Sequence, residues 1–305
     1  MAQQKLLLTG PTAVGKTSVS LELAEKLNAE IISSDSRQCY KYLNIGTATP
    51  TADELNQVRH YNISIIGPAV KDSAVNFYER CQQWENEIKN RGKTVLYTGG
   101  STLHQKIIIQ PFDELPSSDA SNIKKLEQRI NKNGIESLYK KLQQVDPAYA
   151  DKMDGMNPQR IIRALDVWMQ TGKPFSSFHS NKPLKPPADL TVVGLKRDRQ
   201  KLYERINRRV DFMFKNGFID EVKSILEMGY RKDDPGLNTV GYKQVIDFLN
   251  DNISKERMVS DIKAKTRQYA KRQLTWFKRW DFVHWIQIDG KTPEEISKKI
   301  SDIFL

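Results

Sequence analysis

Cysteine and long hydrophobic segments are the scarcest features of this 305-residue sequence. The two cysteines, Cys39 and Cys81, are too few for a disulfide framework and lack the spacing of zinc ligands, which predicts two reduced thiols. No apolar run approaches the roughly 20 residues that cross a bilayer, and the first strand begins too early to leave room for a signal peptide. These absences predict a soluble, cytoplasmic protein without a membrane partner.

Acidic residues are missing from one C-terminal stretch of an already basic chain. The sequence has 48 Lys and Arg against 37 Asp and Glu, a formal net charge of +11. Residues 263–279 hold seven Lys or Arg and no Asp or Glu. We expect the cations of this stretch, Lys271 and Arg272 among them, to contact RNA phosphates. The interleaved aromatic rings, such as Tyr269 and Phe277, are expected to lie in the core.

A glycine-rich pattern typical of phosphate-binding loops occupies residues 10–17. It comprises Gly10, Pro11, Thr12, Ala13, Val14, Gly15, Lys16 and Thr17, between a predicted strand and a predicted helix. Glycines let backbone N–H groups converge on phosphate oxygens, and the helix N-terminus adds a favourable dipole. Lys16 supplies a positive charge, and the Thr17 hydroxyl is the candidate metal ligand, for Mg²⁺. The pattern predicts a bound phosphate group with Mg²⁺ and leaves open which molecule carries the phosphate.

Strand and helix patterns alternate through the first third of the chain. Buried strands are predicted at Lys5–Thr9, Ala29–Ser33 and Thr94–Tyr97, and helices at Thr17–Leu27 and Phe77–Lys89. Strands separated by helices form parallel sheets with right-handed crossovers. Together with the phosphate-binding pattern they predict an α/β fold: a parallel sheet flanked by helices, of the P-loop NTPase type and similar to nucleotide kinases.

A purely helical stretch interrupts this alternation. Helical periodicity runs from Ser117 to about Thr171, and a proline-rich connector follows at Lys182–Pro187. Strand character returns at Leu190–Leu195 and near His284–Ile288, and helices are predicted over Arg199–Met228, Gly241–Leu249 and Lys255–Trp280. We therefore predict a first part of the P-loop core at 1–111, an inserted small all-helical domain at 112–182, and a second part of the core, with basic C-terminal helices, at 183–305.

Two strand ends carry further candidate site residues. Asp35 follows the second strand, where reacting groups collect in open α/β sheets, and it is a candidate Mg²⁺ ligand, general base or loop cap. The third strand leads into Thr98–Ser101 without the acidic residue that holds Mg²⁺ in P-loop ATPases. This absence disfavours an ATP-driven motor but not a small-molecule kinase that uses ATP.

Stretches spread over most of the chain resemble the tRNA dimethylallyltransferases, also called tRNA isopentenyltransferases. They are residues 10–17, Ser34–Gln38 with Tyr40, Ile45–Ala48 with Pro50, Gly99–Gly100, Asp146–Pro147, Asn157–Leu165, Gly172–Lys173, Gly217–Phe218, Val240–Gln244 and Thr266–Trp276. A phosphate loop alone is shared by many families, but this combination in this order is typical of one. No cysteine follows Cys81, so a bacterial-type member without the eukaryotic C-terminal zinc finger is expected.

The resemblance implies a reaction and a set of site residues. Dimethylallyl diphosphate would give its prenyl group to the exocyclic N6 of the adenosine on the 3′ side of a tRNA anticodon, so the loop would hold this donor and not ATP. Asp35 matches the family's proposed general base, and Ser101 matches a residue at the reaction channel. Contacts with the tRNA anticodon stem-loop are implied for Asp35, Ser36, Arg37, Gln38 and Ser101, for Gln159, Arg160, Ile161, Ile162 and Arg163, and for Val240, Gly241, Tyr242, Lys243 and Gln244.

The chemistry of this reaction assigns roles to individual side chains. The adenine amine is a poor nucleophile, so Lys16, the loop amides, Mg²⁺ and Arg205 are expected to neutralise the departing diphosphate. Arg205 is equally well explained as a solvated arginine on its helix. Asp35 would accept the amine proton, and the target base must flip into a channel. Lys16, Thr17, Asp35, Ser101 and Arg205 are thus the catalytic candidates of a protein expected to act as a monomer.

Three departures from the family pattern and three rival functions stay open. Ser101 stands where many members have threonine, His104 where they have tyrosine, and Thr49 where they have lysine or arginine. The rivals are a small-molecule kinase that uses ATP, a prenyltransferase acting on free adenine nucleotides, and an RNA-binding protein with decayed catalysis. The basic stretch 263–279 argues against the second rival, and the intact phosphate loop with Asp35 argues against the third.

Overall fold

The computed structural model describes residues 4–179 and 183–305. The chain divides into two compact units, a larger one formed by Met1–Pro111 with Leu184–Leu305 and a smaller one formed by Phe112–Pro183. Lys182, where the predicted connector starts, lies outside the described residues. Within the described ranges, no helix is long and apolar enough to span a bilayer.

A six-stranded parallel sheet forms the centre of the larger unit. Its strands are β1 (Lys5–Thr9), β2 (Ala29–Ser33), β3 (His60–Tyr61), β4 (Thr94–Thr98), β5 (Leu190–Lys196) and β6 (His284–Gln287). They lie in the order β3-β2-β4-β1-β5-β6, and every neighbouring pair is parallel. The predicted α/β fold class is confirmed, and the strand predicted from Leu190 rejoins the sheet beside β1.

Helices follow the strands and fill the smaller unit. They are α1 (Lys16–Lys26), α2 (Ala52–Gln57), α3 (Ala74–Asn90), α4 (Thr102–Ile109), α5 (Ala120–Asn133), α6 (Ile135–Val145), α7 (Pro147–Ala150), α8 (Pro158–Thr171), α9 (Arg199–Lys215), α10 (Phe218–Glu227), α11 (Tyr242–Leu249), α12 (Lys255–Phe277) and α13 (Pro293–Phe304). The helices α5 to α8 belong to the smaller unit, and a single turn of 3₁₀ helix, Phe175–Phe178, follows them.

The structure differs from the predicted elements at several places. The helix predicted over Arg199–Met228 is interrupted at Gly217, whose φ of +86° ends the first helical run and starts α10. The sequence pattern does not predict α2 or β3, because each spans too few residues to show a helical or strand periodicity. The helix α13 was missed although Ile296, Ile300 and Phe304 are buried at a regular four-residue spacing.

Burial of β1 fixes where the phosphate loop lies. Leu6, Leu7 and Leu8 are fully buried, and β1 is flanked by β4 and β5. On one side of the sheet, α1 and α13 pack with β1 in a single apolar cluster. Because parallel strands end at the same edge of a sheet, the segments after β1, β2 and β4 meet there. These segments are the phosphate loop, the turn at Asp35 and the glycine pair Gly99–Gly100.

Candidate active site

The phosphate loop is shaped by backbone conformations that favour glycine. Gly10 and Gly15 have φ values of +143° and +116°, and a side chain on Gly10 would meet the Leu195 carbonyl oxygen at 2.7 Å. Gly15 is the N-cap of α1 and offers no side chain to the first helical N–H groups. Those N–H groups and the positive end of the helix dipole are therefore left for an anion.

Lys16 folds back over the loop and lies in a desolvated position. Its Nζ donates to the carbonyl oxygens of Gly10 at 2.8 Å and Pro11 at 2.9 Å. Burial lowers the pKa of Lys16 to about 7, while nearby Asp35 partly opposes this shift and Arg209 adds to it. A bound phosphate anion would favour the charged amine, so the site gains electrostatically from an anionic ligand.

Arginines from β5 and α9 support the same loop. Arg197 Nε donates to the Val14 carbonyl at 2.8 Å, and Arg205 Nε donates to the Ala13 carbonyl at 3.0 Å. A side chain on Gly15 would lie 3.5 Å from Arg197 Nη2 and 3.9 Å from Arg205 Nη2, so both guanidinium groups converge on the loop. Arg205 therefore belongs to the site, although it is exposed on α9.

Arg209 is a cation of the site that sequence reasoning missed. It lies one helical turn after Arg205 on α9, lines the cavity beside Lys16 and donates to the Thr47 carbonyl at 3.3 Å. Burial lowers the pKa of Arg209, and the charge of Asp35 opposes that shift. Its spacing of four residues from Arg205 was the available signal, because such residues share one helix face.

Asp35 is both a loop cap and a cavity residue. Its Oδ1 accepts the backbone N–H of Arg37 at 2.8 Å, which is the capping geometry expected of an Asp turn. Its own backbone N–H donates to Ser33 Oγ at 3.3 Å. Among the described residues Oδ2 has no hydrogen-bond partner, and Asp35 lines the same cavity as Lys16. One oxygen thus orients the carboxylate and the other is available to a ligand.

A buried glutamine that sequence reasoning also missed joins the two loops. Gln273 on α12 is 2% exposed; its Oε1 accepts the Thr12 N–H at 2.8 Å, and its Nε2 donates to the Gly100 carbonyl at 2.7 Å. A side chain on Gly100 would lie 2.5 Å from that Nε2, and one on Gly99 would clash with Ser34 Oγ. The glycine pair is therefore needed for close packing.

Ser101 has a structural position next to the cavity. Its hydroxyl caps α4 by accepting the His104 N–H at 3.4 Å, and the residue is 8% exposed. At the end of β4, the residues that line the cavity are Thr98, Gly99 and Gly100. The His104 ring is buried and stacks on Phe77, with centroids 4.1 Å apart and planes 8° apart.

The candidate site is a cavity of about 330 Å³ that adjoins a larger one of about 1220 Å³. Lys16, Asp35, Arg205 and Gln273 line the first cavity. The two cavities share lining residues, namely Thr17, Ala48, Pro50, Glu54, His60 and Arg209. Cations thus surround the phosphate loop, and a carboxylate lies at the neighbouring strand end.

The aromatic residues of the basic stretch divide between core and site. Phe277 and Trp280 are 0% and 6% exposed, which confirms the core prediction for these rings. Tyr269 is 36% exposed and lines the cavity with Asp35, so its core prediction is wrong. The sequence pattern of alternating cations and aromatic residues in a helix does not show which of its faces lines a cavity and which lies in the core. Lys271 and Arg272 are exposed, as expected.

Several predicted tRNA-contact residues are buried in, or make hydrogen bonds within, the unit to which they belong. Ile161 is fully buried in the core of the smaller unit, and Arg163 donates to the buried Asp166 at 2.9 Å. In the larger unit, Tyr242 is fully buried and its hydroxyl donates to Glu221 at 2.7 Å.

Other residues of the same predicted segments are placed differently. Gln244 is 5% exposed and caps the Gly241 N–H at 2.8 Å. Gln159 and Arg160 are exposed at the start of α8, where they are open to a ligand.

The oxygen donors near the loop suit a metal ion that arrives with its ligand. No group of three or more His, Cys, Asp or Glu side chains able to hold a metal occurs in residues 4–179 and 183–305. Mg²⁺ bound to substrate phosphates keeps several waters and takes only one or two protein ligands. Thr17 and Asp35 both line the cavity and provide such oxygens. The residues therefore fit Mg²⁺ carried on a diphosphate.

Comparisons with known proteins point to one family. A model of the IPP transferase family matches residues 38–280. The tRNA dimethylallyltransferase of Salinibacter ruber is 44% identical over 281 residues, which cover 92% of this chain and 86% of the relative. That of a Thermoanaerobacter species is 41% identical over 306 residues, covering 98% of this chain and 97% of the relative.

Solved structures agree with these relatives. The tRNA isopentenylpyrophosphate transferase of Bacillus halodurans matches with a TM-score of 0.71 at 36% identity, covering 99% of this chain and 97% of that one. A eukaryotic dimethylallyltransferase acting on tRNA has a TM-score of 0.85 at 23% identity, covering 99% of this chain and 79% of that one, and supports the fold alone.

The bridge made by Gln273 can be tested by removing its amide. We expect Gln273→Leu to lower the free energy of unfolding by about 1–3 kcal/mol, because the Gly100 carbonyl loses its donor and Thr12 N–H its acceptor. Binding of inorganic diphosphate should weaken as well, since the loop loses an anchor. Chemical denaturation and calorimetry measure the two effects. Gln268→Leu, at an exposed position of α12, is the matched control. Equal stability and affinity of the two variants would refute the bridging role.

Proposed function

This chain belongs to the IPP transferase family, and we propose that it transfers a dimethylallyl group from dimethylallyl diphosphate to the exocyclic N6 of the adenosine on the 3′ side of a tRNA anticodon. The relatives named above are tRNA dimethylallyltransferases. The observation that carries the proposal is a single cavity that combines an anion-binding loop at Lys16 with the carboxylate of Asp35.

The phosphate loop is the proposed site for the diphosphate of the donor. The free N–H groups of α1, the amine of Lys16 and the guanidinium groups of Arg205 and Arg209 surround the cavity. These donors would stabilise the negative charge that develops as the allylic C1–O bond breaks. The Thr17 hydroxyl would help to hold Mg²⁺ that arrives with the diphosphate, and this ion would supply further positive charge to the leaving group.

Asp35 is the proposed acceptor of the amine proton. The C1–O bond to diphosphate breaks, the N6–C1 bond forms, and one proton leaves N6 for Asp35 Oδ2. The hydrogen bond from Arg37 N–H to Oδ1 holds the carboxylate in place. Because the cavity is lined by the loops after β1, β2 and β4, the target base would have to leave its stack to reach the groups there.

Exposed groups on both units are the proposed tRNA contacts. In the larger unit, Lys271 and Arg272 lie on the outside of α12, with the cavity residues Tyr269 and Gln273 beside them in sequence. In the smaller unit, Gln159 and Arg160 lie exposed at the start of α8. We propose that these four side chains contact the anticodon stem-loop, and that the protein acts as a monomer in the cytoplasm.

The rival functions have less support. A P-loop kinase needs an acidic Mg²⁺ ligand at a strand end, whereas β4 ends in Thr98 followed by two glycines. A prenyltransferase for free adenine nucleotides has no use for the exposed cations of α12. Decayed catalysis is disfavoured because Lys16, Thr17 and Asp35 all line the cavity.

The acceptor is tested directly with labelled dimethylallyl diphosphate and Mg²⁺. We expect label to enter tRNA and not AMP, because the exposed cations suit a polyanionic acceptor. Thin-layer chromatography of nucleosides from the digested tRNA measures the product. Labelling of AMP alone, or of neither acceptor, would contradict the proposed function.

The role of Asp35 is tested by Asp35→Asn, which can still accept the Arg37 N–H. We expect prenyl transfer to fall by about 10²- to 10⁴-fold, because an amide cannot take up the amine proton. Calorimetry without Mg²⁺ should show that inorganic diphosphate still binds, because Asp35 is not part of the phosphate loop. Asp53→Asn, at an exposed position of α2, is the matched control. Transfer near the wild-type rate in Asp35→Asn would exclude it as the base.

The RNA-facing role of α12 is tested by charge reversal of Lys271 and Arg272. The doubly substituted protein (Lys271→Glu with Arg272→Glu) should bind tRNA more weakly. Its plot of log affinity against log salt should flatten by about 0.7–0.9 for each lost phosphate contact. Fluorescence anisotropy across a salt series measures the slope. The adjacent exposed pair Lys298 and Lys299 on α13, reversed in the same way, is the control. An unchanged slope would place the RNA backbone elsewhere.

A further inference from the structure

Tyr269 is the one phenol ring among the described residues that line the first cavity. It lies on α12, a single turn before Gln273, and shares the cavity with Asp35 and Lys16. With 36% of its surface exposed, it is far more open than Phe277 at 0% on the same helix. An aromatic ring that stays open beside a carboxylate and an anion-binding loop requires an explanation, since Phe277 on the same helix is buried in the core.

The ring of Tyr269 is held in a defined position. Its hydroxyl lies near the amide of Gln273, which binds both the phosphate loop and Gly100. Burial of the hydroxyl, together with the charge of Asp35, raises the pKa of Tyr269, so the hydroxyl stays protonated. The guanidinium carbon of Arg272 lies 6.0 Å from the ring centroid and covers one face. With 36% of its surface exposed, the residue still offers part of the ring as an open face to a ligand.

We propose that the open face of Tyr269 is the stacking surface for the acceptor adenine after it leaves the tRNA loop. This inference rests on the proposed function and deepens it by naming the residue that receives the base. A flipped nucleotide loses the stacking with its neighbours, and an aromatic side chain restores part of that free energy. The described lining of the first cavity contains one other aromatic ring, that of His60. This ring also borders the second cavity, together with Thr17 and Arg209.

The position of the ring also suits the reaction. Asp35 lies close enough to Tyr269 for its charge to act on the hydroxyl, and both line one cavity. A base stacked on the ring keeps its edge free, and the exocyclic amine is on that edge. Stacking would thus hold the amine near Asp35 and the donor loop while leaving the amine unobstructed. A purine also presents a larger π-surface for stacking than a pyrimidine does, which favours adenine over the pyrimidines.

The inference is tested with Tyr269→Leu and Tyr269→Phe. We expect Tyr269→Leu to lower kcat/KM for an anticodon stem-loop by about 10- to 100-fold, because leucine has no π-face. Tyr269→Phe should retain most of the activity, since the ring is kept. Affinity for inorganic diphosphate, measured by calorimetry, should be unchanged in both variants. Tyr42→Leu, which removes an exposed ring outside the cavity lining, is the matched control.

A second readout does not depend on catalysis. A stem-loop with 2-aminopurine at the target position is bound to each protein, and its fluorescence is measured in the complex. Stacking on a phenol ring quenches this base, so the Tyr269→Leu complex should be brighter than the wild-type and Tyr269→Phe complexes. Equal brightness of all three complexes, or unchanged kcat/KM in Tyr269→Leu, would overturn the inference while leaving the proposed function intact. Absence of prenyl transfer by the wild type would instead refute the proposed function, and the quenching comparison would still stand.

Discussion

The amide of Gln273 binds both sides of the candidate active site at once. One end accepts a backbone N–H from the phosphate loop and the other donates to the carbonyl of Gly100 after β4. Losing either hydrogen bond of a buried amide costs free energy, because the group that remains is unsatisfied. The two loops and α12 are therefore held in one relative position. The Tyr269 hydroxyl lies near the same amide. The distance from the anion-binding loop to the acceptor surface therefore depends on this one side chain.

Positive and negative side chains lie in different parts of the cavity. Lys16, Arg205 and Arg209 gather around the phosphate loop, and Asp35 lies after the neighbouring strand. Burial lowers the pKa of Lys16 to about 7, so part of its charge is restored only when an anion arrives. Asp35 has one oxygen fixed by the Arg37 N–H and one oxygen free. The arrangement separates a site for a departing anion from a site for an accepted proton, as prenyl transfer to an amine requires.

Sequence patterns were most informative where a local rule applies. The phosphate loop, the strands β1, β2 and β5 and the capping role of Asp35 follow from residues close together in the chain. Prediction failed for Tyr269, because the same alternation of rings and cations suits a core face and a cavity face. The RNA contact expected at Ile161 stays a prediction, and its fully buried side chain leaves only the backbone of that residue for it.

The sequence by itself determined the α/β class, the anion-binding loop and the family, because each depends on residue types at short, defined spacings. Only the tertiary structure decided which side chains meet. Thr12 and Gln273 are 261 residues apart in the chain, yet they share a hydrogen bond. Arg209 joins Lys16, and Tyr269 joins Asp35, through the packing of α9 and α12 against loops encoded far away. No local pattern specifies such contacts, since they form only when the parallel strands bring their ends to one edge.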